Sequence, residues 1–196
     1  MTRLQKLTAK IKQQTEAVIS SCIIDEYFST CSNEIDFEIN SEESQIVFYL
    51  WFTDTHLNLA WPFSVKQMVK TIQAEEPAGV FITGDISDGK HVEHYLDELA
   101  EKLSCNVYFV LGNHDYHHRH IASVHSDIKR LADRHSNLFW MTDYGVASLN
   151  DEVALVGAEG WYDAQLGNPK WLKYTLDRKL VIDFKIIKSL DKQIEK

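Results

Sequence analysis

Between positions 46 and 135 the chain alternates short apolar runs with longer stretches in which apolar residues recur every three or four positions. Ile46 to Phe52 is continuously hydrophobic, as expected of a strand covered on both faces, which would make Trp51 and Phe52 core residues. Val80 to Thr83 and Val107 to Leu111 are the second and third strands. The intervening stretches read as helices. The first runs from Ser64, with Gln67 three residues on as in a capping box, to about Glu75, and Pro77 and Gly79 end it. The second spans Val92 to Leu103, with Leu96, Leu99 and Leu103 on one face. The third spans about Ile121 to His135. Strands alternating with helices predict an α/β domain around a parallel sheet.

After His135 the rhythm changes. Leu138 to Met141, Val146 to Leu149 and Val153 to Gly157 are short runs separated by turn residues, the pattern of an antiparallel meander. The tail from about Leu176 to Ile194 reads as helix. At the other end, residues 3 to 28 have roughly helical periodicity, and a short strand fits residues 37 to 39. The expected organisation is an N-terminal helical extension over 1–45 and a main domain over 46–196.

Composition narrows the class. At 196 residues, 44% hydrophobic and 25% charged, the chain is long enough for a sizeable core. A formal net charge of −9 gives no general attraction to nucleic acid. No apolar run is long enough to span a bilayer, and the basic N-terminus lacks the apolar stretch of a secretory signal. Cys22, Cys31 and Cys105 lack CxxC spacing and read as reduced thiols, so the cytoplasm is the expected compartment.

The chemistry lies directly after the three strands. Asp54-Thr55-His56, Gly84-Asp85-Ile86-Ser87-Asp88 and Gly112-Asn113-His114-Asp115 deliver carboxylate, imidazole and amide groups to one end of the sheet. Ligand sites of open α/β sheets lie at that end. Such groups suit divalent cations such as Mg²⁺, Mn²⁺, Fe or Zn²⁺. Asp54 and His56 can flank one ion, Asp85 can bridge two, and the Asn113 carbonyl can reach the second. A metal pair stabilises the attacking and leaving oxygens of an in-line displacement and supplies a hydroxide at neutral pH. His114 has the chemistry to protonate a leaving alkoxide, Asp115 to orient its imidazole, and Asp88 to orient a ligand. Gly84 and Gly112 fit places where the chain turns sharply beside the site. His117, His118, His120 and His125 read as a solvated loop and helix start, and His91 and His94 as surface residues.

In this order the three motifs resemble the calcineurin-like metallophosphoesterases, whose pattern is D-x-H, G-D-x-x-D and G-N-H-[D/E]. The resemblance covers about residues 46 to 165. It implies two β-sheets packed together between helices and hydrolysis of a phosphate mono- or diester. It implies one metal on Asp54, His56 and Asp85, a second on Asp85 and Asn113, and His114 as proton donor.

Two departures qualify these expectations. The family's later His and G-H-x-H are missing, since no histidine follows His135. A fold incomplete at its C-terminus, an incomplete second metal site and a homo-oligomer or partner covering an exposed apolar face are therefore expected. A non-catalytic remnant with at most one weak metal site, or an interaction module, stands as the alternative. Gly89 and Leu111 also occupy positions where the Ser/Thr protein phosphatase branch has Arg, which favours the smaller bacterial-type phosphoesterases.

Overall fold

The computed structural model describes residues 47–59, 64–160 and 174–186. The helix expected over 3 to 28, the strand at 37 to 39 and the tail beyond 186 lie outside them. Four strands form one parallel sheet in sequence order: β1 (Tyr49–Phe52), β2 (Gly79–Thr83), β3 (Asn106–Val110) and β4 (Leu138–Trp140). Three helices cross between them, α1 (Ser64–Glu75), α2 (Val92–Lys102) and α3 (Ile121–Ala132). Right-handed crossovers in an unreversed strand order put every crossover helix on the same face.

That face holds the main core. Leu50, Phe52, Val80, Ile82, Val107, Phe109, Leu138 and Trp140 alternate inward along the strands. Val69 and Ile72 of α1, Leu96 and Leu99 of α2, and Ile128 and Leu131 of α3 close over them. Each fully buried side chain among them contributes about 1.5–3 kcal/mol relative to exposure, and the half-buried Leu50 and Phe52 less. Helix ends follow local chemistry: Glu76, at φ 50°, terminates α1 just before Pro77.

The opposite face carries an aromatic row, Tyr49, Phe81, Tyr108 and Phe139, one from each strand. Tyr49 stacks on Phe81 at 4.9 Å and Tyr108 on Phe139 at 5.0 Å between ring centroids. A one-turn helix, α4 (Met141–Tyr144), leads to an antiparallel hairpin of β5 (Val146–Ser148) and β6 (Ala154–Val156). Met141, Ala147 and Leu155 pack on the aromatic row, making the hairpin a second layer over the sheet.

Three expectations are corrected. Leu138 to Met141 is no part of the meander: Leu138–Trp140 pairs parallel with β3, because α3 carries the chain back to the start of the sheet. Trp51 is 71% exposed rather than core, since alternation puts it on the non-helical face of the edge strand. Its indole N–H bonds Thr83 Oγ1 at 2.8 Å. The tail is not one helix within the described residues: α5 (Asp177–Leu180) and α6 (Ile182–Ile186) are separated at Val181, which is fully buried in the core. No helix among the described residues is long and apolar enough to cross a membrane.

Candidate metal centre

The loops after β1, β2 and β3 are sewn together at the carboxyl end of the sheet. The backbone N–H of Asp54 donates to Gly84 O (3.2 Å), that of His56 to Asp85 O (2.9 Å) and that of Leu57 to Ile86 O (2.8 Å). The His114 N–H donates to Asp85 Oδ1 at 3.0 Å. Asp54, His56 and Asp85 all have positive φ, at 51°, 39° and 49°. Non-glycine residues adopt that region uncommonly, Asp and His more readily than most, and such conformations cluster at functional sites.

This stitching brings together residues from all three motifs. Ligand atoms of His56, Asp85 and His114 lie within 4.8 Å of one another, and all three residues are half-buried. The His56 and His114 rings meet edge to face at 4.7 Å between centroids. The His56 imidazole and the Asp85 carboxylate suit a borderline divalent cation, with the His114 imidazole standing beside them. The surroundings fit as well: a Cβ on Gly112 would stand 2.2 Å from Asp85 Oδ1, so the carboxylate sits in a space open only to glycine.

The other expected residues lie around this group. Asp54 is exposed and outside the close triad, its carboxylate accepting from the Thr53 hydroxyl. Asn113 is half-buried, and its Nδ2–H donates to Asp177 Oδ1 at 2.8 Å. That leaves the carbonyl oxygen of the amide as the end that can reach a cation.

Asp115 does not orient His114. In the 3₁₀ turn His114–Tyr116 successive side chains splay by a third of a revolution, and Asp115 turns inward. Its fully buried carboxylate accepts backbone N–H bonds from Ser87 (2.9 Å), Gly112 (2.9 Å) and Ile86 (3.3 Å). Burial pushes its pKa up to about 7 against the pull of those three donors. It ties the second motif to the third. Asp88 likewise orients none of the ligand-type residues. Its Oδ1 accepts from the Lys90 and His91 N–H groups at 3.2 Å and lies 2.6 Å from His91 Nδ1, building the entry to α2. His91 and His94 are exposed, as expected.

The histidine-rich segment divides. His118 and His120 are exposed, but His117 is only 4% exposed, contrary to a solvated loop. Residues three apart eclipse in a 3₁₀ turn, and the His117 ring accordingly lies 4.4 Å from that of His114. His117 Nε2 lies 3.0 Å from Asp177 Oδ1, and Asp177 is itself buried. His125 Nε2 lies 2.9 Å from the Tyr116 hydroxyl, which also bonds Glu159.

The sequence does not mark Asp177 as a site neighbour, nor Glu159 as the partner of Tyr116 and Trp140. Neither sits in a motif, and Asp177 is 64 residues from Asn113. A lone acid among tail residues carries no local signal of the partners that folding supplies.

No curated protein and no solved structure matches the chain. Residues 49–188 match the pattern of the calcineurin-like phosphoesterases, from the first residue of β1 to just beyond α6. That span takes in every ligand-type residue above and most of the chain, which thus belongs to the calcineurin-like phosphoesterase family.

Proposed function

We propose that the protein hydrolyses a phosphate mono- or diester with the help of divalent cations held by Asp54, His56, Asp85 and Asn113. The convergence of His56, Asp85 and His114 from three strand-end loops is the observation that carries this reading. Cations held by these residues would supply Lewis acidity at the carboxyl end of the sheet. The chain's own groups do the rest. Asp85 contributes the carboxylate nearest both imidazoles, and Asn113 offers its carbonyl. His114 delivers a proton from a ring nitrogen to the departing alkoxide. Asp115 holds the second and third motifs in register from below.

Supporting features extend to compartment and substrate. The three cysteines lack CxxC spacing, and Cys105 is a free thiol, in keeping with the cytoplasm. The absence of Arg at positions 89 and 111 argues against phosphoprotein substrates.

The test is turnover. With added Mn²⁺ the purified chain hydrolyses p-nitrophenyl phosphate or bis(p-nitrophenyl) phosphate, and Asp85→Ala lowers the rate by at least about 100-fold. Undiminished hydrolysis by that variant ends the assignment.

A second reading has its own support. Asp54 stands outside the close triad, so a non-catalytic chain with one weak cation site accounts for the geometry too. Metal stoichiometry separates the two: two ions per chain favour the enzyme, and one or none favours the remnant.

A further inference from the structure

Outside the motif residues, one buried polar cluster reaches the site from the far end of the chain. Asp177 Oδ1 accepts the Asn113 amide N–H at 2.8 Å and lies 3.0 Å from His117 Nε2. The His117 ring is packed 4.4 Å from the His114 ring. The side chains of His117 and Asp177 are 5% and 7% exposed.

We infer that Asp177 is a positioning residue of the phosphoesterase centre; the inference rests on the function proposed above. One carboxylate oxygen takes up the nitrogen end of Asn113 and so presents the carbonyl end to a cation. The same oxygen fixes His117, and the His117 ring backs the His114 ring against lateral movement. Partners that orient a ligand from behind in this way set its rotamer and its basicity.

Docking of the tail does not account for this carboxylate. The α5–α6 segment is already anchored by His118 N–H to Leu180 O (2.8 Å), Ile182 N–H to Arg119 O (3.1 Å) and Ile121 N–H to Asp183 Oδ2 (2.8 Å). Val181 adds a fully buried side chain. A carboxylate that only held the segment down would carry a desolvation cost that an apolar residue avoids. The cost is intelligible when the charge has ligand-type partners to orient.

The experiment compares full-length wild type, Asp177→Ala, Asp177→Asn and Asp183→Ala, the last removing the carboxylate that accepts the Ile121 N–H and lies 3.4 Å from His120 Nδ1. Mn²⁺ affinity is measured by calorimetry, turnover with p-nitrophenyl phosphate, and the Asn113 side-chain amide by ¹⁵N–¹H NMR of the metal-free protein. Asp177→Ala weakens Mn²⁺ binding and lowers kcat by about 10–100-fold and shifts the Asn113 amide signals. Asp177→Asn, which keeps an acceptor and the volume, restores part of each and carries the test if the alanine variant does not fold. Asp183→Ala lowers thermal stability but moves none of the three readouts. An Asp177→Ala protein that behaves like Asp183→Ala overturns the positioning role while leaving the phosphoesterase reading intact. A wild type without turnover, in which Asp177 still governs Mn²⁺ affinity and the Asn113 signals, overturns the phosphoesterase reading and supports the positioning role.

Discussion

Gly112 lies so close to Asp85 that an added methyl group would stand 2.2 Å from its Oδ1 and 2.5 Å from its backbone nitrogen. The carboxylate could swing aside, but the backbone nitrogen is fixed by the loop after β2. Gly112→Ala therefore pushes apart the second and third motifs. Overpacking of this kind costs about 1–3 kcal/mol. The helices and main core lie away from the contact, so circular dichroism remains that of the wild type while Mn²⁺ affinity falls at least about tenfold. Wild-type affinity in this variant would show that Asp85 is not held where a cation needs it.

Asp115→Asn tests the carboxylate that receives three backbone N–H groups. An amide offers one acceptor oxygen and turns its own N–H₂ toward a donor. At least one buried N–H then loses its partner, at about 1–3 kcal/mol. Thermal unfolding midpoints are expected to fall by several degrees, at about 2–4 °C per kcal/mol for a chain of this size. An unchanged midpoint would mean that Asp115 does not hold the two loops together.

What the sequence makes legible here has a physical boundary. Strand and helix positions from Tyr49 to Ala132 follow from periodicity, and the motif residues could be found because each directly follows a strand. Local rules also cover Asp88, but they misread its role: an Asp four residues before a helix serves the backbone beside it. His117 reads as part of a solvated loop, but in a 3₁₀ turn residues three apart eclipse, and its ring packs on that of His114. β4 was misplaced because three residues, Leu138–Trp140, carry no signal of parallel or antiparallel pairing. Asp177 and Glu159 depend on contacts between distant segments, and nothing near them in sequence encodes those contacts. The close triad was only partly foreseen. Alternation along the chain groups Asp54 with His56, yet both have positive φ and Asp54 is exposed.

Arg119 joins α2 to α3 by bonding Glu93 Oε1 at 2.7 Å and the Asp127 carboxylate. Its pKa is raised, the hydrogen bond to Glu93 being the main cause. The side chain is still 23% exposed, and Glu93 37%. Pairs this open to water contribute about 0–1 kcal/mol. Arg119→Met should thus lower stability by no more than about 1 kcal/mol. The difference from wild type should shrink in about 1 M NaCl, where the screening length is about 3 Å. A larger loss that salt leaves untouched would assign Arg119 a packing role in place of an electrostatic one.

Glu159 offers a pH test of the loop that follows β6. Its carboxylate accepts the Trp140 indole N–H at 2.7 Å, the Thr142 hydroxyl at 3.2 Å and the Tyr116 hydroxyl, and His125 Nε2 lies 3.5 Å away. Burial alone would raise its pKa, but the bonds from His125, Tyr116 and Trp140 outweigh it and hold the group below its ordinary 4.5. A carboxyl depressed in the folded state stabilises the fold at pH above its unfolded value. That contribution is lost as pH falls through the folded value. Glu159→Gln removes it, so the variant is less stable at pH 7 by about 1–3 kcal/mol, as for hydrogen bonds to a charged group. The gap between variant and wild type should close as the pH is lowered below 4.5. Urea midpoints for both proteins from pH 7 to pH 3 measure it, and a gap that stays constant across that range would show that the Glu159 charge does not hold the loop.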